Sequence, residues 1–433
     1  MRSFAVIGAG ITGITTAYSL IRKGYDVTVI DRQRYPAMET SFANGGQLSA
    51  SNAEVWNSWA TVFKGIKWML TPDAPLLMNP MPSWHKYSWM AEFLANIPSY
   101  RANTVETTRL AIASRKYMFE IAEREKIDFN LEKRGILHIY RDKASFETAG
   151  RVSQMYAEGG LARRAVTPDE MRTIEPTLHG NYYGGYFTES DSTGDIHKFT
   201  RGLADACKRL GVSFVNEATV ESVTHTGKGR DGTGIDIAFS FAAGDESGLV
   251  THETRSFDGV VVCAGVGSRA LAAKLGDRVN IYPVKGYSIT VMLDDEKSQN
   301  GAPWVSLLDD KTKIVTSRLG KERFRVAGTA EFNGENRDIR DDRVRPLIDW
   351  TRRLFPDVNT SRCVPWAGLR PMLPSMLPRV GAGKLPGVFY NTGHGHLGWT
   401  LSAVTAEMVG EKIAAALPVE APAAGATFAV AAE

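Results

Sequence analysis

The sequence has few of the features that mark secreted, metal-binding or nucleic-acid-binding proteins. Its three cysteines, Cys207, Cys263 and Cys363, are far apart and form no CxxC pair, which disfavours a disulfide framework and a zinc site. The 51 basic and 48 acidic residues leave a net charge of +3, too small to indicate a nucleic-acid partner. No charge-free run approaches the ~18 residues of a spanning helix, and no signal peptide is recognisable. We therefore expect a reduced, cytoplasmic protein with no metal site.

The length indicates more than one domain. A chain of 433 residues exceeds the ~300 residues at which single cores stop growing. Its apolar fraction of 43% and charged fraction of 23% are typical of a globular protein. The Ala- and Pro-rich tail, 418–433, is predicted to be disordered.

The first 31 residues carry the clearest structural pattern. A short apolar run at 3–7 predicts a buried strand, and apolar residues at spacings of three and four over 11–21 predict a helix that stops at Gly24. A second buried strand at 27–30 ends at Asp31. Strand, helix and strand together have the size of one βαβ unit.

A glycine fingerprint joins the first strand to the helix. Gly8, Gly10 and Gly13 match GxGxxG, and Asp31 ends the next strand 18 residues after Gly13, which makes a dinucleotide site the preferred interpretation. Gly8 permits the tight turn, Gly10 lets the backbone approach a pyrophosphate, and Gly13 lets the helix pack on the strand. The helix N-terminus offers its N–H groups to the phosphates, and Asp31 offers its carboxylate to the ribose. The fingerprint alone does not choose between NAD and FAD.

Residues 54–98 contain five of the nine tryptophans and five prolines outside any clear periodic pattern. One interpretation is a cover over the active site, packed by its own aromatic side chains. The other is a contact surface for a membrane or a quinone, because tryptophan favours interfaces. We favour the cover, and peripheral contact with the inner face of the cytoplasmic membrane remains an alternative.

Several separated stretches of the chain form a recognisable set. They are 40–44 with the following glycines, 73–76, 194–195 with 198–200, 282–288, 368–372, and 391–395 with 397–400. Together they resemble the FAD-dependent D-amino-acid dehydrogenases of the D-amino-acid oxidase-like and glycine oxidase-like superfamily, and the resemblance covers about residues 2–417. The usual Thr-Pro-Asp after Gly-x-Arg-Pro-Met is replaced here by Leu373-Pro374-Ser375.

The resemblance implies an α/β (α+β overall) fold. A doubly wound, Rossmann-like FAD-binding domain would be assembled from 1–55, 150–276 and 363–417. A mixed β-sheet substrate or cap domain would comprise 56–149 and 277–362. Cys363 lies upstream of the position where sarcosine oxidase-like relatives carry a flavin-linked cysteine, so we expect FAD to be bound non-covalently.

The fingerprint and the resemblance together name a set of candidate cofactor-binding residues. They are Gly8, Gly10, Ile11, Thr12, Gly13, Asp31, Arg32, Thr40, Ser41, Asn44, Gly45, Gly46, Gln47, Val220, Ala264, Gly265, Gly395, His396, Leu397, Gly398, Trp399 and Thr400. The loop from Gly395 to Thr400 enters a helix, so its N–H groups can meet negative charge on a reduced flavin.

By the same resemblance, Arg370 binds the carboxylate of the substrate. An arginine fork suits a carboxylate because it donates two parallel hydrogen bonds. Tyr287 and Tyr183 are weaker candidates for a partner hydroxyl, and for each we favour core packing with a satisfied hydroxyl. Lys285 and Asp195 are interpreted as structural charges, and no general base at the substrate Cα is nominated because the cofactor does the difficult step.

The implied reaction is oxidation of a D-amino acid to an imino acid, which water hydrolyses to a 2-oxo acid and ammonia. Electrons would pass to a quinone-type acceptor rather than to oxygen. Two alternatives stay open: oxidation of a secondary amine or cyclic imino acid such as sarcosine or D-hydroxyproline, and a flavin-carrying electron-transfer subunit that turns over no substrate. The sequence leaves the oligomeric state undetermined.

Overall fold

A computed structural model describes residues 1–69, 75–242 and 250–419 of the protein. The predicted disordered tail therefore lies outside the described residues, except for Pro418 and Val419. The Pro418 carbonyl accepts a hydrogen bond of 3.1 Å from Nε of Arg2, so the chain is still attached to the fold at this point.

The described residues contain twenty strands. They are β1 (Ser3–Ile7), β2 (Asp26–Ile30), β3 (Gln47–Leu48), β4 (Leu76–Met78), β5 (Ile136–Tyr140), β6 (Arg164–Val166), β7 (Gly184–Thr188), β8 (Ser192–Thr193), β9 (Ser213–Val215), β10 (Ala218–His225), β11 (Ile235–Ala242), β12 (Val250–Phe257), β13 (Gly259–Val262), β14 (Tyr282–Met292), β15 (Ser306–Asp309), β16 (Ile314–Arg318), β17 (Arg323–Phe332), β18 (Cys363–Met372), β19 (Arg379–Ala382) and β20 (Val388–Thr392).

Eleven α-helices connect these strands within the same described ranges. They are α1 (Ile11–Arg22), α2 (Trp59–Met69), α3 (Trp84–Ala95), α4 (Tyr100–Glu125), α5 (Lys143–Glu158), α6 (Pro168–Ile174), α7 (Ile196–Arg209), α8 (Ser268–Lys274), α9 (Glu296–Gly301), α10 (Asp341–Leu354) and α11 (Gly398–Ala416). In the described part of the chain, none of the helices combines the length and the apolar character needed to span a bilayer.

The first sheet has the order β19-β20-β13-β1-β2-β9. Its neighbours pair in parallel except at the β19 edge. Because side chains alternate along a strand, Phe4 and Val6 pack with α1, α7 and α11, whereas Ala5 and Ile7 pack with α8 and the antiparallel β10-β11-β12 sheet. This arrangement confirms the predicted Rossmann-like fold.

The second sheet is mixed and has the order β18-β14-β17-β16-β15-β5-β7-β6, with β4 paired to β17. Strand β14 pairs with β18 so that Val284 lies opposite Arg370 and Gly286 lies opposite Gly368. The β14–β17 register shifts between Lys285 and Tyr287, and α10 covers one face of this sheet. The shift matters for the site because it lies beside Arg370.

Sheet membership differs from the expected ranges in two places. Strands β6, β7 and β18 fall inside 150–276 and 363–417, the ranges expected for the FAD-binding domain, but they pair in the mixed sheet. Strand β7 pairs with both β5 and β6, and β18 pairs with β14, which is distant in sequence, so local pattern does not reveal that pairing. The division into domains stays a prediction.

Candidate functional site

One large cavity lies where the two sheets meet. Its volume is about 1330 Å³, above the ~300–1,000 Å³ of ordinary ligand sites. It is lined by the β1–α1 turn, the loop that follows β2, the start of α11, and β14, β17 and β18. The cavity is therefore large enough to hold a cofactor and a substrate side by side.

The β1–α1 turn forms one end of this cavity. Gly8 has φ of +110°, and a Cβ there would come within 2.6 Å of the Cys263 carbonyl oxygen. A Cβ on Gly13 would lie 1.8 Å from the Gly8 oxygen, so this glycine allows the helix to pack closely. Gly10, Ile11 and Thr12 line the cavity, and the N-terminus of α1 opens onto it.

Asp31 fixes this turn from the end of β2. Its Oδ2 accepts a hydrogen bond of 2.6 Å from the Ala9 N–H, and its Oδ1 accepts one of 2.7 Å from the Gln33 N–H. Burial raises the pKa of the Asp31 carboxyl, and the two backbone hydrogen bonds oppose that rise. The adjacent Arg32 lines the cavity and pairs with Glu39 at 2.8 Å.

The loop after β2 joins the turn to the mixed sheet. The Ser41 hydroxyl accepts a hydrogen bond from the Ile11 N–H at 3.0 Å, and the Thr40 hydroxyl donates to the Leu369 carbonyl at 2.8 Å. Asn44 accepts from Arg325 at its carbonyl, and Gly45 accepts from Ser317. Farther along, Gly46 donates to the Asn44 side chain, and Gln47 donates to Ser306. The loop is thus hydrogen-bonded to the β1–α1 turn on one side and to the mixed sheet on the other.

The start of α11 forms the opposite wall. Thr400 accepts a hydrogen bond from the Ser49 N–H at 3.3 Å, and Trp399 is buried against Phe129 and Phe199. The His396 ring stacks on Trp56, with 4.9 Å between centroids. Burial lowers the pKa of His396 to about 4, so the ring is neutral near pH 7.

All but one of the sequence-predicted cofactor residues line this cavity. Val220, Ala264, Gly265, Gly395, Leu397 and Gly398 are among them, and Gly13 is the exception because it packs beneath the turn. A Cβ on Gly265 would enter open space, with no atom within 4 Å. Two helix N-termini, a glycine turn and a carboxylate at the end of β2 fit the pyrophosphate and ribose of FAD.

Arg370 lies in β18 and lines the same cavity. Its Nη1 donates a hydrogen bond of 2.9 Å to the Thr329 carbonyl, and no acidic side chain pairs with it among the described residues. Burial lowers the pKa of Arg370 to about 10, so the guanidinium is charged near pH 7. Thr329 has φ of +60° at the register shift between β14 and β17, a strained position beside the guanidinium.

The two tyrosine candidates lie in different places. Tyr287 lines the cavity, but its hydroxyl donates to Glu331 at 2.7 Å and is already satisfied. Tyr183 does not line the cavity and is 47% exposed, with its ring against Phe146. This placement argues against the less favoured interpretation, in which Tyr183 supplies a hydroxyl to the substrate, because the residue adjoins β7 near the far edge of the mixed sheet.

The charges interpreted as structural do have structural partners. Lys285 is fully buried 3.3 Å from Glu331, and Asp195 caps α7 and pairs with Arg323 at 2.8 Å. Sequence reasoning missed Thr329 and the half-buried Glu54, which also lines the cavity and accepts a hydrogen bond from Tyr100. Neither residue stands in a recognisable motif.

In the part of the chain that the structure describes, no three His, Cys, Asp or Glu side chains cluster as metal ligands.

Comparison with known proteins places this geometry in a family. The model of the family described as FAD dependent oxidoreductase matches residues 3–412. A protein of Mesorhizobium japonicum called D-amino acid dehydrogenase 3 is 62% identical over 97% of this chain and 99% of its own length. A D-amino acid dehydrogenase of Paramagnetospirillum magneticum is 41% identical over 94% of both chains.

Solved structures show the same fold at low identity. Glycine oxidase from Geobacillus kaustophilus superposes with a TM-score of 0.70 at 18% identity, over 95% of both chains. L-proline dehydrogenase from P. horikoshii gives 0.71 at 16% identity, over 95% of this chain and 93% of that chain. At these identities the likeness establishes the fold alone.

Proposed function

Because the chain belongs to the FAD dependent oxidoreductase family and is an FAD-dependent enzyme, we propose that it oxidises D-amino acids to 2-oxo acids and ammonia. Its similarity to proteins named D-amino acid dehydrogenase supports the substrate class. We further propose a quinone-type acceptor and a cytoplasmic enzyme that works at the inner face of the cytoplasmic membrane.

The observation that carries the proposal is the state of Arg370. A half-buried guanidinium that faces a cavity and has no acidic partner among the described residues is costly unless a ligand supplies the negative charge. Its fork suits the carboxylate of an amino acid, which it would hold by two hydrogen bonds. The residue thereby fixes the substrate carboxylate and, through it, the direction of the Cα–H bond.

The protein's contribution to the reaction is orientation and charge stabilisation. FAD, when bound, supplies the chemistry of accepting a hydride from the substrate Cα. The residues that would hold it are the β1–α1 turn, Asp31, the 40–47 loop and the 395–400 segment. The N-terminus of α11 offers backbone N–H groups to negative charge at that end of the cavity. The imino acid product is hydrolysed by water to the 2-oxo acid and ammonia.

An anaerobic titration of the purified holoprotein tests the substrate class. D- and L-amino acids, sarcosine and cyclic imino acids would be added while the ~450 nm flavin band is followed. We expect D-amino acids to bleach the band. In Arg370→Ala the required concentration should rise at least thirtyfold, because loss of a buried charge pair costs about 2–5 kcal/mol. The exposed Arg379→Ala is the matched control and should behave as wild type.

Other outcomes would replace the proposal. Bleaching only by secondary amines or cyclic imino acids would assign the alternative substrate class. Bound flavin that no amino acid or imino acid bleaches would instead support an electron-transfer subunit. If the Arg370→Ala protein titrates as wild type does, Arg370 does not bind the substrate.

A further inference from the structure

Helices α2 and α3 carry apolar side chains on the face that points to solvent. On α2, Trp59, Phe63 and Ile66 are 58%, 65% and 51% exposed, and they recur at helical spacing. On α3, Trp84 and Tyr87 lie one turn apart and are also exposed. Exposed apolar patches of this kind mark contact with a partner or a membrane.

Both helices also line the cavity. Helix α2 contributes Val62 and Gly65, and its exposed Lys64 and Ile66 adjoin the cavity as well as solvent. Helix α3 contributes Trp89, Met90 and Phe93. The wall continues with apolar side chains from β4, so this side of the cavity is suited to an apolar molecule. The two helices are therefore apolar both toward solvent and toward the interior.

This apolar wall reaches the neighbourhood of Arg370. The Trp89 indole N–H donates a hydrogen bond of 2.8 Å to the carbonyl of Met372, two residues after Arg370 in β18. Asn57 donates to the carbonyls of Phe93 and Pro374 and so fixes α3 to the same segment. A molecule that enters along this wall arrives at the part of the cavity where Arg370 lies.

The charge of α2 indicates which surface its outer face suits. The helix contains Lys64 and Lys67, both exposed, and no acidic residue. Tryptophan and tyrosine with lysine beside an apolar stripe are typical of helices that lie in the interface of an anionic membrane. A soluble protein partner would not need the cavity wall behind the patch to be apolar as well.

We infer that α2 and α3 form the port through which a quinone dissolved in an anionic membrane reaches the cavity, with Trp59, Phe63, Ile66, Trp84 and Tyr87 resting on the lipid surface. The inference rests on the proposed function and names the place where its acceptor enters. Conversion of the amino acid to the imino acid releases two electrons and two protons, and the quinone takes up two of each to become the quinol.

Vesicle flotation and acceptor kinetics together test the outer face. Holoprotein would be mixed with phosphatidylglycerol vesicles that contain a long-chain quinone. In Trp59→Glu/Phe63→Glu we expect at least tenfold weaker flotation and a tenfold higher KM for the membrane quinone. The KM for D-amino acids measured with a water-soluble dye should not change. Tyr183→Glu/Val364→Glu removes two exposed apolar residues elsewhere and should behave as wild type.

A second variant tests the cavity side of the port. Met90→Lys places a charge in the apolar wall, so the KM for a short-chain, water-soluble quinone should rise at least tenfold while flotation stays unchanged. Flavin content and melting temperature would establish that both variants fold.

Three results would overturn the inference. These are unchanged flotation of the outer-face variant, unchanged quinone KM in Met90→Lys, and a wild-type dimer that the outer-face variant converts to a monomer in light scattering. Failure of the proposed function is seen separately, because wild-type flavin would then not be bleached by D-amino acids in the absence of any acceptor.

Discussion

The guanidinium of Arg370 lies directly over Gly286, where an added Cβ would come within 2.2 Å of Nη2. Gly286 stands opposite Gly368 in the β14–β18 pairing, and a Cβ on Gly368 would instead meet the ring of Trp366, so it is Gly286 that leaves the space for Arg370. The position of the arginine is thus set by the absence of a side chain on the neighbouring strand.

Gly286→Ala is expected to displace Arg370 and weaken substrate binding. The KM for D-amino acids should rise at least tenfold with flavin content unchanged, because a displaced fork loses its paired hydrogen bonds. The double variant Gly286→Ala/Arg370→Lys is the control: lysine lacks the planar fork, so the alanine should cost less in that background. Equal effects in both backgrounds would show that the methyl group acts elsewhere.

Asp31→Asn is expected to weaken FAD binding about 10- to 100-fold. The carboxylate accepts two backbone N–H groups that shape the dinucleotide turn, and charge-assisted hydrogen bonds contribute about 1.5–3 kcal/mol each. Titration of apoprotein with FAD, followed by flavin fluorescence, measures the Kd. Asp26→Asn changes an exposed carboxylate at the start of the same strand and should leave the Kd as in wild type.

Tyr287→Phe should lower stability without changing the KM for D-amino acids. Its hydroxyl donates a hydrogen bond to the buried Glu331. Burial and that carboxylate together raise the pKa of Tyr287. Removal leaves Glu331 without one donor, at a cost of about 1–3 kcal/mol in the free energy of unfolding. Urea denaturation measures the loss, with the exposed Tyr183→Phe as reference. A higher KM with unchanged stability would indicate instead that the Tyr287 hydroxyl contacts the substrate.

Acidification should destabilise the protein through His394. Burial lowers the pKa of this histidine to about 3, whereas an unfolded histidine has a pKa of about 6.5. Since the unfolded chain binds the additional proton, the free energy of unfolding falls as the pH drops from about 6.5 toward 3, by up to roughly 1.4 kcal/mol per pH unit.

The melting temperature measured between pH 7.5 and 5 checks this expectation. His394→Gln can retain a hydrogen bond to Thr405 and should show a flatter profile. His252→Gln changes an exposed histidine and should reproduce the wild-type slope. A wild-type slope in His394→Gln would show that other groups cause the acid sensitivity.

Acid precipitation should release all of the FAD into the supernatant. Cys263 lines the cavity, but its thiol is buried and donates to Thr16 at 3.7 Å, and burial raises its pKa to about 12. Cys363 does not line the cavity. Neither sulfur is therefore placed as a reactive thiolate beside the cofactor. Flavin absorbance that stays with the precipitated protein would contradict this prediction.

The sequence predicted most accurately what consecutive residues determine. The β1–α1–β2 unit and its glycine turn were predicted because their periodicity and spacing lie within 31 residues. The structure adds what depends on distant pairing, such as β18 beside β14, which brings Arg370 over Gly286. The exposed outer face of α2 was also not predicted as such, because its composition alone does not reveal which face is covered.

The Rossmann-like sheet combines strands that are far apart in the sequence. Strand β1 has β2 on one side and β13 on the other, and β13 in turn pairs with β20 at residues 388–392. During synthesis, β1 can therefore pair with β13 only after more than half of the protein has left the ribosome. Helix α11, which packs on α1, emerges last. We expect a chain truncated before α11 not to retain FAD, because it lacks both the helix that packs on α1 and the residues 398–400 that line the cavity.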